Sequence, residues 1–299
     1  MNTAFTLFSI SLSYGIVITY SLLFFAIFVI PTQKKLFALP LAFGSTVSAL
    51  LTGLIAAPAF IGIFLLALCL VIQGYRAKLA PWWQVINYVL LFVLSIVLML
   101  HIAPGFNNPK LLDGVQLNAS STPYSLYLNF DKGILAFALM WFVSGNSQSN
   151  QEDEGAFNYQ RLFIVIAVST FVTFVLASVM GVVAPSFKLP SFLPLWLINN
   201  LLISCMVEEA FFRGFIQRSL TDKCVNRQIS PLWAVAFVGI LFGVAHFGGG
   251  LAYVLLACVI GSAYGYVYYL TGKLRYAVAF HGGFNLIHIV FFTYPQLLA

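Results

Sequence analysis

The amino-acid sequence predicts an all-α protein, a polytopic transmembrane helix bundle of about ten spans with both termini extracytoplasmic. Three observations lead there. The 299 residues are 61% hydrophobic and only 7% charged, against about 25% charged in soluble domains. A mean hydropathy of +0.98 and thirty phenylalanines suit an outer surface that faces lipid. Apolar stretches near the ~20 residues that a spanning helix needs recur along the whole chain.

In order, the first four candidate spans are residues 5–30, 36–54, 57–74 and 83–103. The first lacks a positively charged start and is longer than the ~7–15 apolar residues of a cleavable signal, so it reads as a permanent span. Residues 104–131 follow as a long extracytoplasmic loop rich in turn formers. The fifth candidate, 132–145, is short. A polar, acidic linker at 145–159, with Glu152, Asp153 and Glu154, separates it from the sixth, 160–183. Pro185 and Pro190 then mark a weaker boundary before 193–219, 231–247, 250–270 and 276–294. Two domains result: an N-terminal bundle, 1–190, of unassigned role, and a C-terminal membrane domain, 191–299.

The net charge of +6 does not indicate nucleic-acid binding, because the charges are sorted by side. Loops on one face carry Lys34, Lys35, Arg76, Lys78, Arg161, Arg218, Lys223, Arg227, Lys273 and Arg275, while the other face carries Lys110, Lys132 and Lys188. The positive-inside rule puts the first set in the cytoplasm and makes the chain a multi-pass protein of the cytoplasmic membrane. Cys69, Cys205, Cys224 and Cys258 show no CxxC spacing, so neither a disulfide framework nor a thiolate zinc site is indicated.

Function concentrates after residue 191. Glu208 and Glu209 are the only acids within membrane-length apolar stretches, where a carboxylate costs roughly 2.5–3.5 kcal/mol. Glu209 and Arg213, at i and i+4, meet on one face of a helix and neutralise each other. Glu208 lies about 100° around the helix, without that partner, and desolvation would make it a useful base. His246 follows Phe242 by one turn near the end of the next span. His281 and Asn285 are again i and i+4, and His288 extends the same face. Gly239 with Gly243, and Gly261 with Gly265, are small-xxx-small spacings that let helices approach closely.

A carboxylate and an imidazole can take a proton from water, and a second imidazole with an amide N–H can stabilise the oxyanion formed at a carbonyl. The alternative is Zn²⁺ held by Glu208, His246 and His281 with one open position. Ser204 and Cys205 lie nearby but show no dedicated base. Measured from the span boundaries at ~1.5 Å per residue, His246 lies about 22 Å deep and His281 about 9 Å, a conflict with their convergence.

The pattern Glu208-Glu209…Arg213, Phe242…His246, His281…Asn285, in that order on successive membrane helices, resembles the CPBP intramembrane proteases, which include the type II CAAX prenyl endopeptidases and bacteriocin-processing or immunity proteins. The resemblance covers roughly residues 192–292. It implies a helical bundle with a cavity among the catalytic helices and a hydrolase acting on a membrane-associated peptide or protein. Glu208 would be the main base, with His246 helping to activate water. His281 and Asn285 would form the oxyanion site, and Glu209, Arg213, Phe242 and His288 would support the geometry. The family is often called metalloprotease, and a metal-free glutamate mechanism is also argued for its prenyl-protease branch. A non-catalytic immunity or scaffold protein and a proton-coupled transporter are the competing classes, and the N-terminal bundle is expected to steer substrate or bind a partner. The transporter is disfavoured by the missing inverted repeat.

Overall fold

The computed structural model describes residues 4–7, 10–32, 34–146 and 158–298, and these are mostly helical. Among them ten helices follow one another: α1 (Tyr14–Val29), α2 (Ala38–Leu51), α3 (Ala59–Gly74), α4 (Pro81–Met99), α5 (Phe130–Asn146), α6 (Tyr159–Val179), α7 (Leu193–Asn226), α8 (Leu232–Ala245), α9 (Leu251–Thr271) and α10 (Leu274–Phe291). By length and composition four of them, α4, α6, α7 and α9, suffice to cross a membrane. Helices α1, α2, α3 and α8 are apolar but shorter. The chain is therefore a membrane protein.

Two places depart from the all-α expectation. Strands β1 (Ala4–Leu7) and β2 (Ile10–Ser13) pair antiparallel, so the first helix begins at Tyr14 and not near residue 5. The alternation in Ile10-Ser11-Leu12-Ser13 has the period of a strand. Ser13, with extended backbone, then accepts the Ile16 N–H at 3.3 Å and caps α1. Within the long 104–131 segment, β3 (Lys110–Val115) and β4 (Tyr124–Tyr127) form a second two-stranded sheet. The acidic linker residues Glu152, Asp153 and Glu154 lie outside the described residues.

The chain packs as two units. One is assembled from Met1–Leu111, Leu126–Gln148 and Pro194–Val207. There, α1 and α2 share buried hydroxyls: Thr19 Oγ1 and Ser48 Oγ are 2.7 Å apart, and Ser45 Oγ donates to the Thr19 carbonyl at 2.8 Å. Tyr20 donates to the Leu128 carbonyl at 2.8 Å, and Asn87 Nδ2 to the Cys69 carbonyl at 3.1 Å. Buried Asp131 meets His101 Nδ1 at 2.6 Å. In an apolar bundle an unpartnered polar group costs several kcal/mol, so these pairings make the polar residues tolerable.

The other unit comprises Leu112–Ser125, Ser149–Leu193 and Glu208–Ala299. Its helices α8 and α9 are in close contact. A Cβ added at Gly239 would lie 2.0 Å from Ser262 Oγ, and one at Gly243 would lie 2.2 Å from Cys258 Sγ. The small-residue spacing thus does what it predicts. Residues Ala210–Gln217 of α7 are π-helical, with the Arg218 N–H bonded to the Arg213 carbonyl. Such widened turns occur frequently at functional sites. After α10 the chain is tied down by bridges from Phe292 to Pro185 and from Leu297 to Ser121.

Candidate active site

The site is built around three α7 side chains one turn apart. Glu209, Arg213 and Gln217 are 0%, 0% and 1% exposed. Glu209 Oε2 and Arg213 Nε stand 3.1 Å apart as an ion pair. Arg213 Nη2 donates to the Gly261 carbonyl at 2.6 Å, and Gln217 Nε2 donates to the Gly265 carbonyl at 2.8 Å. Both acceptors sit on α9 where a side chain would block the approach. A Cβ at Gly261 would lie 2.6 Å from Phe242 Cδ1, and one at Gly265 would lie 2.7 Å from Gln217 Oε1. The guanidinium also lies over Phe242, 4.6 Å from its centroid, with Phe212 and Tyr264 each at 5.6 Å. A fully buried cation needs this compensation from carboxylate, carbonyl and ring faces.

The second oxygen of Glu209 reaches another helix. Glu209 Oε1 is 2.9 Å from His281 Nδ1, and His281 is 6% exposed. Tyr264 stacks on the His281 ring at 4.7 Å and 19°, and Phe242 meets it edge-on at 5.7 Å. Glu209 therefore both neutralises Arg213 and fixes the rotation and tautomer of His281. With Nδ1–H donated to the carboxylate, the tautomer of the ring is set.

His246 is held by a different device. It follows the last residue of α8, where the helix gives way to the Phe247–Gly249 turn, and its Nδ1 lies 2.7 Å from the Phe242 carbonyl. A carbonyl only accepts, so Nδ1 carries the proton and Nε2 is an acceptor. Phe242 packs 4.5 Å from this ring as well, which makes it the spacer between the two histidines. Tyr253 stacks on the other side at 6.0 Å and 27°.

A cavity of about 60 Å³ joins these groups. His246, His281, Asn285, His288, Phe242, Tyr253 and Tyr264 line it, together with apolar residues of α6 and α9 such as Phe174 and Leu256. At roughly 15 Å³ per water, the space would take about four. Despite the depth conflict, His246 and His281 border one space. Glu208 stands apart from this lining. It is half-buried, and its charge acts on Arg213 and on Tyr253, which does line the cavity.

The zinc alternative is tested by the donor set. Among the described residues no three His, Cys, Asp or Glu side chains converge as metal ligands. As placed, Glu208, His246 and His281 do not form such a group.

Three site residues had no sequence signal strong enough to single them out. Tyr253 and Tyr264 are two of fourteen tyrosines, and nothing in their local pattern marks a ring that stacks on a histidine. Gln217 could have been found, since it continues the Glu209–Arg213 stripe by one more turn.

Comparison with curated proteins and with solved structures gives no match. A family model does match. Residues 190–287, about a third of the chain and the stretch that carries all three motifs, fit the family described as Rce1-like, type II CAAX prenyl endopeptidase Rce1-like. That C-terminal segment is therefore similar to the type II CAAX prenyl endopeptidases, and the likeness covers that segment alone.

Proposed function

We propose that this chain is an intramembrane endopeptidase. It would hydrolyse a peptide bond of a membrane-associated or lipidated substrate, with water activated by Glu208 and His246 and the oxyanion held at His281 and Asn285. The observation that carries the reading is the pair of anchored imidazoles around one cavity. His246, with Nδ1–H given to the Phe242 carbonyl, presents an acceptor nitrogen suited to taking a proton from water. His281 rests on a buried carboxylate. That carboxylate stabilises the imidazolium, the form in which Nε2 donates to a developing oxyanion. The proton removed from water is returned to the departing amine, so no covalent intermediate is needed.

In this reading all ten helices cross the cytoplasmic membrane with both termini outside, as the asymmetry of basic loops indicates. Within residues 1–190, the part outside the cavity-lining α6 region steers substrate or binds a partner. The test compares membrane-protein termini in cells with matched levels of wild type and Glu208→Ala. A terminus present only with wild type identifies the substrate and supports the reading. Identical termini across several growth conditions refute it and favour a non-catalytic immunity or scaffold role.

A further inference from the structure

His288 has no part in the chemistry above, yet it is one of the most constrained polar groups in the unit. It is 7% exposed, lines the cavity, and its Nε2 is buried without a hydrogen-bond partner. The ring's other nitrogen is occupied. His288 bonds the backbone of Thr293, whose N–H is already donated to the Ala184 carbonyl at 2.8 Å. The remaining Thr293 group is its carbonyl, so His288 is the donor there through Nδ1. In a neutral ring Nε2 is then a bare acceptor. A buried lone pair without a donor is unfavourable, which calls for a ligand that supplies one.

The surroundings define that ligand further. Phe174 lies 6.0 Å from the His288 ring and stacks on Phe284 at 4.6 Å and on Phe292 at 4.3 Å. Val183 and Leu256 belong to the same apolar cluster. Along α10, His281 and His288 are seven residues apart on one face, about 10.5 Å at 1.5 Å per residue. An extended peptide covers that in about three residues at ~3.3 Å each.

The geometry points to a substrate subsite at His288: an apolar pocket for an aromatic side chain whose O–H or N–H donates to Nε2, three residues from the bond cleaved at His281. This assignment rests on the protease reading for its register, though not for the existence of the pocket.

The experiment uses the full-length chain in detergent, ¹⁵N-labelled at its four histidines. The probes are p-cresol and toluene, the side-chain analogues of tyrosine and phenylalanine, which differ in one hydroxyl. The expected result is that p-cresol moves the His288 Nε2 resonance while toluene does not. His288→Phe should abolish the response and His288→Gln, which keeps an acceptor, should retain selectivity for p-cresol over toluene. Unchanged resonances of the other three histidines establish that both variants fold. Equal effects of the two probes, or none, overturn the subsite and leave an ordered water alone as the donor to Nε2. A second arm uses whatever substrate the terminus comparison yields, with tyrosine or phenylalanine third from the cleaved bond on each side in turn. A single hydrogen bond predicts about two- to tenfold preference for tyrosine, lost in His288→Phe. If p-cresol binds His288 and nothing is cleaved, the subsite stands and the protease reading falls. If cleavage occurs but neither probe nor tyrosine is distinguished, the reverse holds.

Discussion

Glu209→Gln is the most informative single change, because it keeps the shape of a buried side chain and removes only its charge. In the wild type Glu209 Oε2 is 3.1 Å from Arg213 Nε, and both side chains are 0% exposed. Taking the carboxylate's charge away leaves the guanidinium buried and uncompensated, a loss of about 3–5 kcal/mol in comparable interiors. The Gly261 carbonyl and the Phe242 ring remain with Arg213, but they serve it equally in the wild type and so offset none of the loss. Against the ~5–15 kcal/mol that holds a domain together, the variant should unfold well below the wild type when heated in detergent micelles and followed by circular dichroism.

The companion variant Glu209→Leu/Arg213→Met removes both charges and should recover most of that stability, since apolar replacements of a buried pair are often neutral or better. It should not recover activity. His281 would have lost the carboxylate on Nδ1, and neutralising such a partner in a histidine-based hydrolase lowers turnover by roughly 10⁴. Cleavage of the Glu208-dependent substrate measures this. Wild-type stability in Glu209→Gln would refute the electrostatic argument. A double variant that folds and cleaves at the wild-type rate would refute the positioning of His281.

Two further outcomes follow from the same geometry. In Gly261→Ala the new Cβ would lie 2.6 Å from Phe242 Cδ1. Overpacking of this kind costs about 1–3 kcal/mol, and because Phe242 spaces the two histidines, turnover should fall more than stability; unchanged turnover in a folded variant would contradict this. Incubation with a strong zinc chelator should leave cleavage unchanged, because no three ligands converge at the site. Loss of activity that returns with added Zn²⁺ would show that donors rearrange into a centre the present geometry lacks.

What the sequence made legible was local. Glu209 and Arg213 are one turn apart, so their pairing follows from helix geometry alone, and the glycine spacings of α8 and α9 announce close packing in the same way. The ten apolar segments locate ten helices among the described residues, but hydropathy blurs their ends: Ala4–Leu7 and Ile10–Ser13 lie in a stretch as apolar as a span and still pair as strands, because alternation overrides composition there. The link from Glu209 to His281 spans 72 positions and depends on how α7 and α10 face each other. No periodicity encodes that. The depth estimates for His246 and His281 failed for the same reason, since residues counted along each helix from its own end carry no information on how the helices are placed against each other.

The adjacent acids are best understood as a division of labour that helix geometry imposes. Successive residues point about 100° apart, so two neighbouring carboxylates face different surroundings. Glu209 faces inward, with one oxygen paired to Arg213 and the other on His281. Glu208 is half-buried, and its charge acts on Tyr253 and on Arg213. A buried cation that tolerates one committed carboxylate also lowers the cost of keeping a second one nearby. Arg213 therefore supports the half-buried acid electrostatically while it is held by the fully buried one. The physical dependence runs one way. Glu209 and Arg213 can exist as a structural pair without Glu208, but an acid at position 208 in an apolar helix needs the pair behind it.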